Sequence, residues 1–226
     1  MLRFSKNSKV PQSVLTRQIS PKHGLPGNIN AIHNLAVLDY ILELDYPQYS
    51  GTRLHPALRA MFIHIDANVI EGRAVAKDPE QHRRSISEAL MYHYTPEKVY
   101  FGPTLPHFGK SSDIILCLNK DLDAMEIPKQ FQSDLKASKD IVKPPTAKDG
   151  YDWYCIVMPK DKHITQKSGN LKGHWSMKMK HLEKLGYKVH SVGPKQRIQF
   201  ERTTNKNVTK SNVKSLLIHN HVDKNK

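Results

Sequence analysis

The segment Asn170-Leu-Lys-Gly-His-Trp-Ser-Met-Lys-Met-Lys-His-Leu-Glu-Lys-Leu-Gly-Tyr-Lys-Val-His-Ser-Val192 changes its hydrophobic period at Gly186. Before that point Leu171, Trp175, Leu182 and Leu185, with Met179 nearby, recur at helical spacing and predict an amphipathic helix over 171–185. Gly186 is the residue expected to take the left-handed conformation that ends such a helix. After it, residues 187–192 read as a strand. A helix running directly into a strand is half of an α/β unit.

Working backwards, residues 153–158 (Trp-Tyr-Cys-Ile-Val-Met), 112–118 (Ser-Asp-Ile-Ile-Leu-Cys-Leu) and 98–105 predict three more strands. The second is apolar enough to be buried on both faces. Residues 119–150 are polar and proline-bearing and read as a long loop with a turn of helix. A helix is predicted from Asp78-Pro79, with Asp78 as N-cap and Pro79 in the first turn, to His93, with Ile86, Leu90 and Met91 inward. Further upstream, Ile32, Leu35, Leu38 and Leu42 predict a helix over 30–44, and Leu58, Met61, Phe62, Ile65 and Val69 another over 56–70. The expected fold is α/β in the α+β sense. A small helical N-terminal layer precedes a unit ordered αβββαβ, the order found in the core of PD-(D/E)xK nucleases.

Charge is uneven along the chain. The net charge is +14 over 226 residues, with +5 in residues 1–38 and +12 in residues 162–226, so the body is slightly acidic. A neutral body with a basic C-terminal third points to a polyanionic partner on one face; the plainer alternative is a tail that aids solubility. No apolar run is long enough to span a membrane. Cys117 and Cys155 sit inside predicted strands without C-x-x-C spacing, as reduced core thiols do. The pair His219 and His221 lacks further ligands at zinc spacing. The acid-free start, with Arg3, Lys6, Lys9 and Arg17 among serines, resembles a mitochondrial transit peptide, the alternative being a basic disordered end.

The residues from 170 to 192 resemble the RAP domain signature: a small-residue turn, a helix carrying K-x-x-H-L, and a Gly-aromatic step into a strand. Thr104-Leu-Pro-His-Phe-Gly109 with the strand from Ser112 is similar to the first RAP strands of FAST kinase domain-containing proteins. Leu42-Glu-Leu-Asp-Tyr-Pro-Gln-Tyr49 resembles their L-x-L-D-x-P-x-Y step. The resemblance implies a division into a transit peptide or disordered start at 1–29, a helical FAST-like region at 30–77, a RAP domain at 78–200 and a basic tail at 201–226. It implies binding to single-stranded mitochondrial transcripts in the matrix, in their processing, stability or translation. These 226 residues leave no room for the long helical-repeat region usual in that family, as expected of a short member or of a fragment. Protein kinase chemistry is excluded, because no G-x-G-x-x-G, H-R-D or D-F-G is present.

Two chemistries compete for this scaffold. A PD-(D/E)xK nuclease needs an acid at a strand end and E-x-K on the next strand, together holding Mg²⁺ or Mn²⁺. Asp113 takes the first place. The next strand offers no E-x-K, leaving Asp152 and Asp161 at its ends as relocated acids, Lys160 and Lys162 beyond it, and Glu88 on the preceding helix. The other reading is a non-catalytic, cofactor-free binder of RNA phosphates. In it His174, Lys178 and His181 share a helix face at i, i+4 and i+7, flanked by Lys172, Lys180 and Lys184, with the helix N-terminus adding backbone N–H groups. Tyr92, Tyr94, Tyr100, Phe101 and Phe108 are candidates for stacking on unpaired bases.

Overall fold

The computed structural model describes residues 29–62, 81–108, 113–137, 140–159, 163–165, 170–193, 196 and 198. The N-cap Asp78-Pro79, residues 63–70 of the predicted second helix, and the tail from Lys210 to His219 lie outside them. Helix α1 (Ile29–Asp45) is followed by a helical stretch over 56–62 and by helix α2 (Gln81–His93). Strands β1 (Val99–Gly102) and β2 (Asp113–Asn119) are joined through a short 3-10 turn at Pro106–Phe108. The stretch expected to be a long loop with a turn of helix holds a two-residue strand β3 (Ala124–Met125) and the nine-residue helix α3 (Lys129–Ala137). Strand β4 (Tyr151–Val157), helix α4 (Gly173–Lys184) and strand β5 (Lys188–Ser191) complete the unit.

The strands form a mixed sheet in the order β1-β2-β4-β5, with β3 on β2. β2 runs antiparallel to both β1 and β4, and β5 runs parallel to β4, the arrangement a helical crossover between the last two strands requires. β2 is buried along almost its whole length because helices cover both faces. Ile114, Leu116, Leu118 and Ile156 meet Ile86 and Leu90 of α2 on one face. Ile115, Cys117, Cys155 and Val157 meet Phe131 of α3 and Trp175 and Leu182 of α4 on the other. The two cysteines are free and buried; burial pushes the Cys117 thiol up to about 11 and Cys155 higher still. Gly186 has φ +103° and ends α4 as expected.

Three packing expectations are corrected. Leu35 and Leu38 of α1 are each half exposed, and the helix instead buries Ala36, Asp39 and Tyr40. In the 56–62 stretch Leu58 is exposed and Arg59 is buried. The reason is an ion network. Asp39 accepts from Arg53 Nε (2.7 Å), the Leu54 N–H (3.0 Å) and Arg59 (3.1 Å), while Arg59 also binds Glu43 and Asp140. Each buried charge is therefore paired and hydrogen-bonded. Met91 of α2, expected inward, is exposed, since Ile86, Ala89 and Leu90 already fill that face.

Candidate nucleic-acid interface

Helix α4 has two faces of different chemistry. Trp175, Lys178, His181, Leu182 and Leu185 are buried, while Lys172, His174, Ser176, Lys180, Glu183 and Lys184 are exposed. The expected shared face of His174, Lys178 and His181 thus does not exist as a surface: only His174 reaches solvent. Lys178 lies three residues after Trp175 and four before Leu182, inside the apolar stripe rather than beside it. That spacing was available in the sequence. The assumption that a lysine faces water concealed it.

Lys178 is tolerated there because Asp113, at the start of β2, faces it. The two side chains are fully buried and Nζ lies 2.5 Å from Asp113 Oδ1. The Thr104 N–H donates to Asp113 Oδ2 at 3.3 Å, and the Thr104 hydroxyl contacts Cys155 Sγ at 3.8 Å. The ammonium also sits 5.2 Å from the Trp175 ring and 5.8 Å from the Phe108 ring, so aromatic faces replace part of its lost hydration. Burial and the Asp113 charge push the Tyr100 phenol up to about 12. The buried Tyr187 hydroxyl has no hydrogen-bond partner among the described residues.

His181 is enclosed where α1 lies across α4 and the Pro106–Phe108 turn. Its Nδ1 is 3.3 Å from His107 Nε2 and its Nε2 is 3.2 Å from Asp45 Oδ2. The His107 ring stacks on Tyr40 with centroids 4.7 Å apart, and the Arg59 guanidinium covers that tyrosine at 4.5 Å. Lys184 Nζ donates to Asp45 Oδ1 (2.6 Å) and to the Leu44 carbonyl (3.0 Å). The Lys184 hydrogen bond holds the Asp45 carboxyl below its ordinary value; burial opposes this and His181 reinforces it. Two of the six residues expected to touch RNA, Lys178 and His181, are therefore interior, and Lys184 is a tether to α1. Lys172, His174 and Lys180 remain on the surface.

The expected acids do not gather. Alternation along β2 and β4 puts Asp113 on the α4 side of the sheet and Asp152 on the α2 side. The register pairs Ile114 with Ile156 and Leu118 with Asp152, so the two residues also stand five positions apart along the strands, about 17 Å. Asp152 binds Lys188 at 2.6 Å. Glu88 is exposed on α2, across the sheet from Asp113. Asp161, Lys160 and Lys162 lie outside the described residues. Among the described residues no three His, Cys, Asp or Glu side chains cluster as metal ligands do.

Of the stacking candidates, Tyr94 and Tyr100 are buried, Phe101 and Phe108 are half-buried, and Tyr92 is 77% exposed on α2. The sequence reading passed over Tyr46 and Tyr49, which are 53% and 44% exposed on the turn after α1. That turn borders α4 through an open cleft of about 620 Å³ lined by Asp45, Tyr46, Lys180, Glu183 and Lys184. The signal lay in Tyr-Pro-Gln-Tyr following a helix, two aromatics in a segment too short to bury both.

No curated protein and no solved structure matches the chain. A family match covers residues 159–210, beginning after β4 and taking in α4 and β5. That region is a RAP domain, a kind of domain associated with RNA binding.

Proposed function

We propose that this protein is a non-catalytic RNA-binding factor of the FAST kinase domain-containing family, acting on single-stranded mitochondrial transcripts in their processing, stability or translation. The observation that carries the reading is the RAP domain at 159–210, which coincides with the basic third of the chain. The family reading draws further support from the L-x-L-D step: its Asp45 is bound by His181 and Lys184 of α4, so the two motifs that suggested the family meet in space. The acid-free start supports the mitochondrial compartment. The absence of nuclease activity is supported by Asp113, whose two oxygens are taken up by Lys178 and Thr104 in a position closed to solvent. A carboxylate so engaged would have to give up a buried ion pair before it held a metal ion and an attacking water.

The test is binding and cleavage measured on the same preparation. Purified protein should bind single-stranded RNA with an affinity that falls steeply with salt, since each neutralised phosphate releases condensed counterions. It should leave the RNA intact in Mg²⁺ or Mn²⁺. No detectable affinity at low salt would end the RNA reading. Robust cleavage that disappears in Asp113→Asn, with binding and folding retained, would replace it with the endonuclease.

A further inference from the structure

Tyr46 and Tyr49 stand out among the aromatic side chains because they are exposed yet held in place. The turn bearing them is closed by Tyr46 N–H to the Leu42 carbonyl (3.1 Å) and Tyr49 N–H to the Tyr46 carbonyl (2.9 Å). Pro47 between them removes a backbone freedom. The Tyr49 ring lies over Gly51 so closely that a Cβ there would come 2.2 Å from its hydroxyl oxygen, so the absence of a side chain at 51 is what lets the ring lie down. The residue before Tyr46 is Asp45, tied to Lys184 and His181, which fixes the turn against α4.

Two phenol rings half in water on one short turn make a small exposed aromatic patch. The cleft beside it carries two lysines, Lys180 and Lys184, and two acids, Asp45 and Glu183. In the cleft beside Tyr46, Lys184 is neutralised by Asp45, whereas Lys180 is exposed and makes no ion pair among the described residues. An aromatic face with a cation alongside is how single strands are bound without regard to sequence: rings take the bases and ammonium groups take the phosphates. Tyr92 is more exposed, but α2 covers the opposite face of the sheet from α4.

Resting on the RNA-binding reading above, we propose that the Tyr46–Tyr49 turn is a stacking platform for unpaired RNA bases, with Lys180 receiving the adjoining phosphate. The site is then shared between the turn after α1 and the RAP helix. The platform takes bases by their ring faces and tolerates any sequence.

The experiment compares the full chain on oligouridine and on an abasic ribose-phosphate strand of equal length, by fluorescence anisotropy. Tyr46→Ala and Tyr49→Ala should each weaken oligouridine binding by roughly five- to a hundredfold and leave the abasic strand unaffected. Tyr46→Phe and Tyr49→Phe should bind as wild type, because the ring alone stacks, and Tyr92→Ala should also be unchanged. If the alanine variants bind oligouridine like wild type, or lose both strands equally, the platform is refuted while RNA binding stands. Failure of the wild-type protein to bind either strand refutes both readings.

Discussion

Lys178 and Asp113 form a pair in which each side chain makes the other's burial tolerable. Removing one partner leaves an uncompensated interior charge, which costs about 3–5 kcal/mol, far more than the pair itself contributes. Lys178→Met should therefore lower the unfolding free energy by that amount in urea titration, and Asp113→Asn/Lys178→Met should recover most of it. A single variant with wild-type stability would show that the pair is not closed to water. Lys178→Glu, which a surface reading would treat as a mild charge reversal, should instead prevent folding. Gly186 makes a cleaner case. A Cβ there would meet only Pro144 at 3.8 Å, so Gly186→Ala costs backbone strain alone, about 1–2 kcal/mol. A loss well beyond that in the same titration would mean that α4 had shifted against β5.

At the scale of elements, α4 divides its lysines between structure and solvent. Lys178 is core, Lys184 is a tether, and Lys172 and Lys180 are free to meet phosphate. Lys172→Glu/Lys180→Glu should weaken RNA binding at least tenfold and reduce the salt slope by about 1.4, near 0.7 for each phosphate of a single strand that is no longer neutralised. The melting temperature should stay unchanged. Undiminished binding in that variant would place the phosphates away from the helix. The helix, its glycine stop and the flanking strands were legible in the sequence because period and turn chemistry act locally. The division of its polar residues was not. Whether Lys178 is inside depends on Asp113, 65 positions away, and whether His181 is inside depends on Asp45 at 136. The same limit hid the inward Asp39 and Tyr40 and the outward Leu35 and Leu38 of α1. The apolar residues of that helix are spread around its axis, so its pattern names no face, and the choice is made by Arg53 and Arg59. β3 was missed because two residues are too few for a period, and α3 was expected only as a turn of helix because it is short and lies in a polar stretch.

For the whole molecule, α1 is joined to the α/β unit by charge as much as by apolar contact, and this gives acid a defined point of attack. Burial raises the Asp39 carboxyl, but Arg53, the Leu54 N–H and Arg59 outweigh it and leave the group below its ordinary 3.8. Asp45 is likewise lowered, first by Lys184. A carboxyl depressed in the folded state contributes stability fully above its unfolded value and loses it as pH falls through the folded value. These two groups should thus add nothing pH-dependent near neutrality, and stability should decline once the pH drops below about 3.8. Asp45→Asn should flatten part of that decline in urea titrations across the acid range; an identical acid limb in the variant would remove Asp45 from the account. The 136 positions between Asp45 and His181 also set a clock during synthesis. A ribosome adding about 5–20 residues per second leaves Asp45 at the end of α1 waiting roughly 7–27 s for the helix that receives it. For that interval α1 has only the nearby Arg53, Leu54 and Arg59 to engage its buried Asp39.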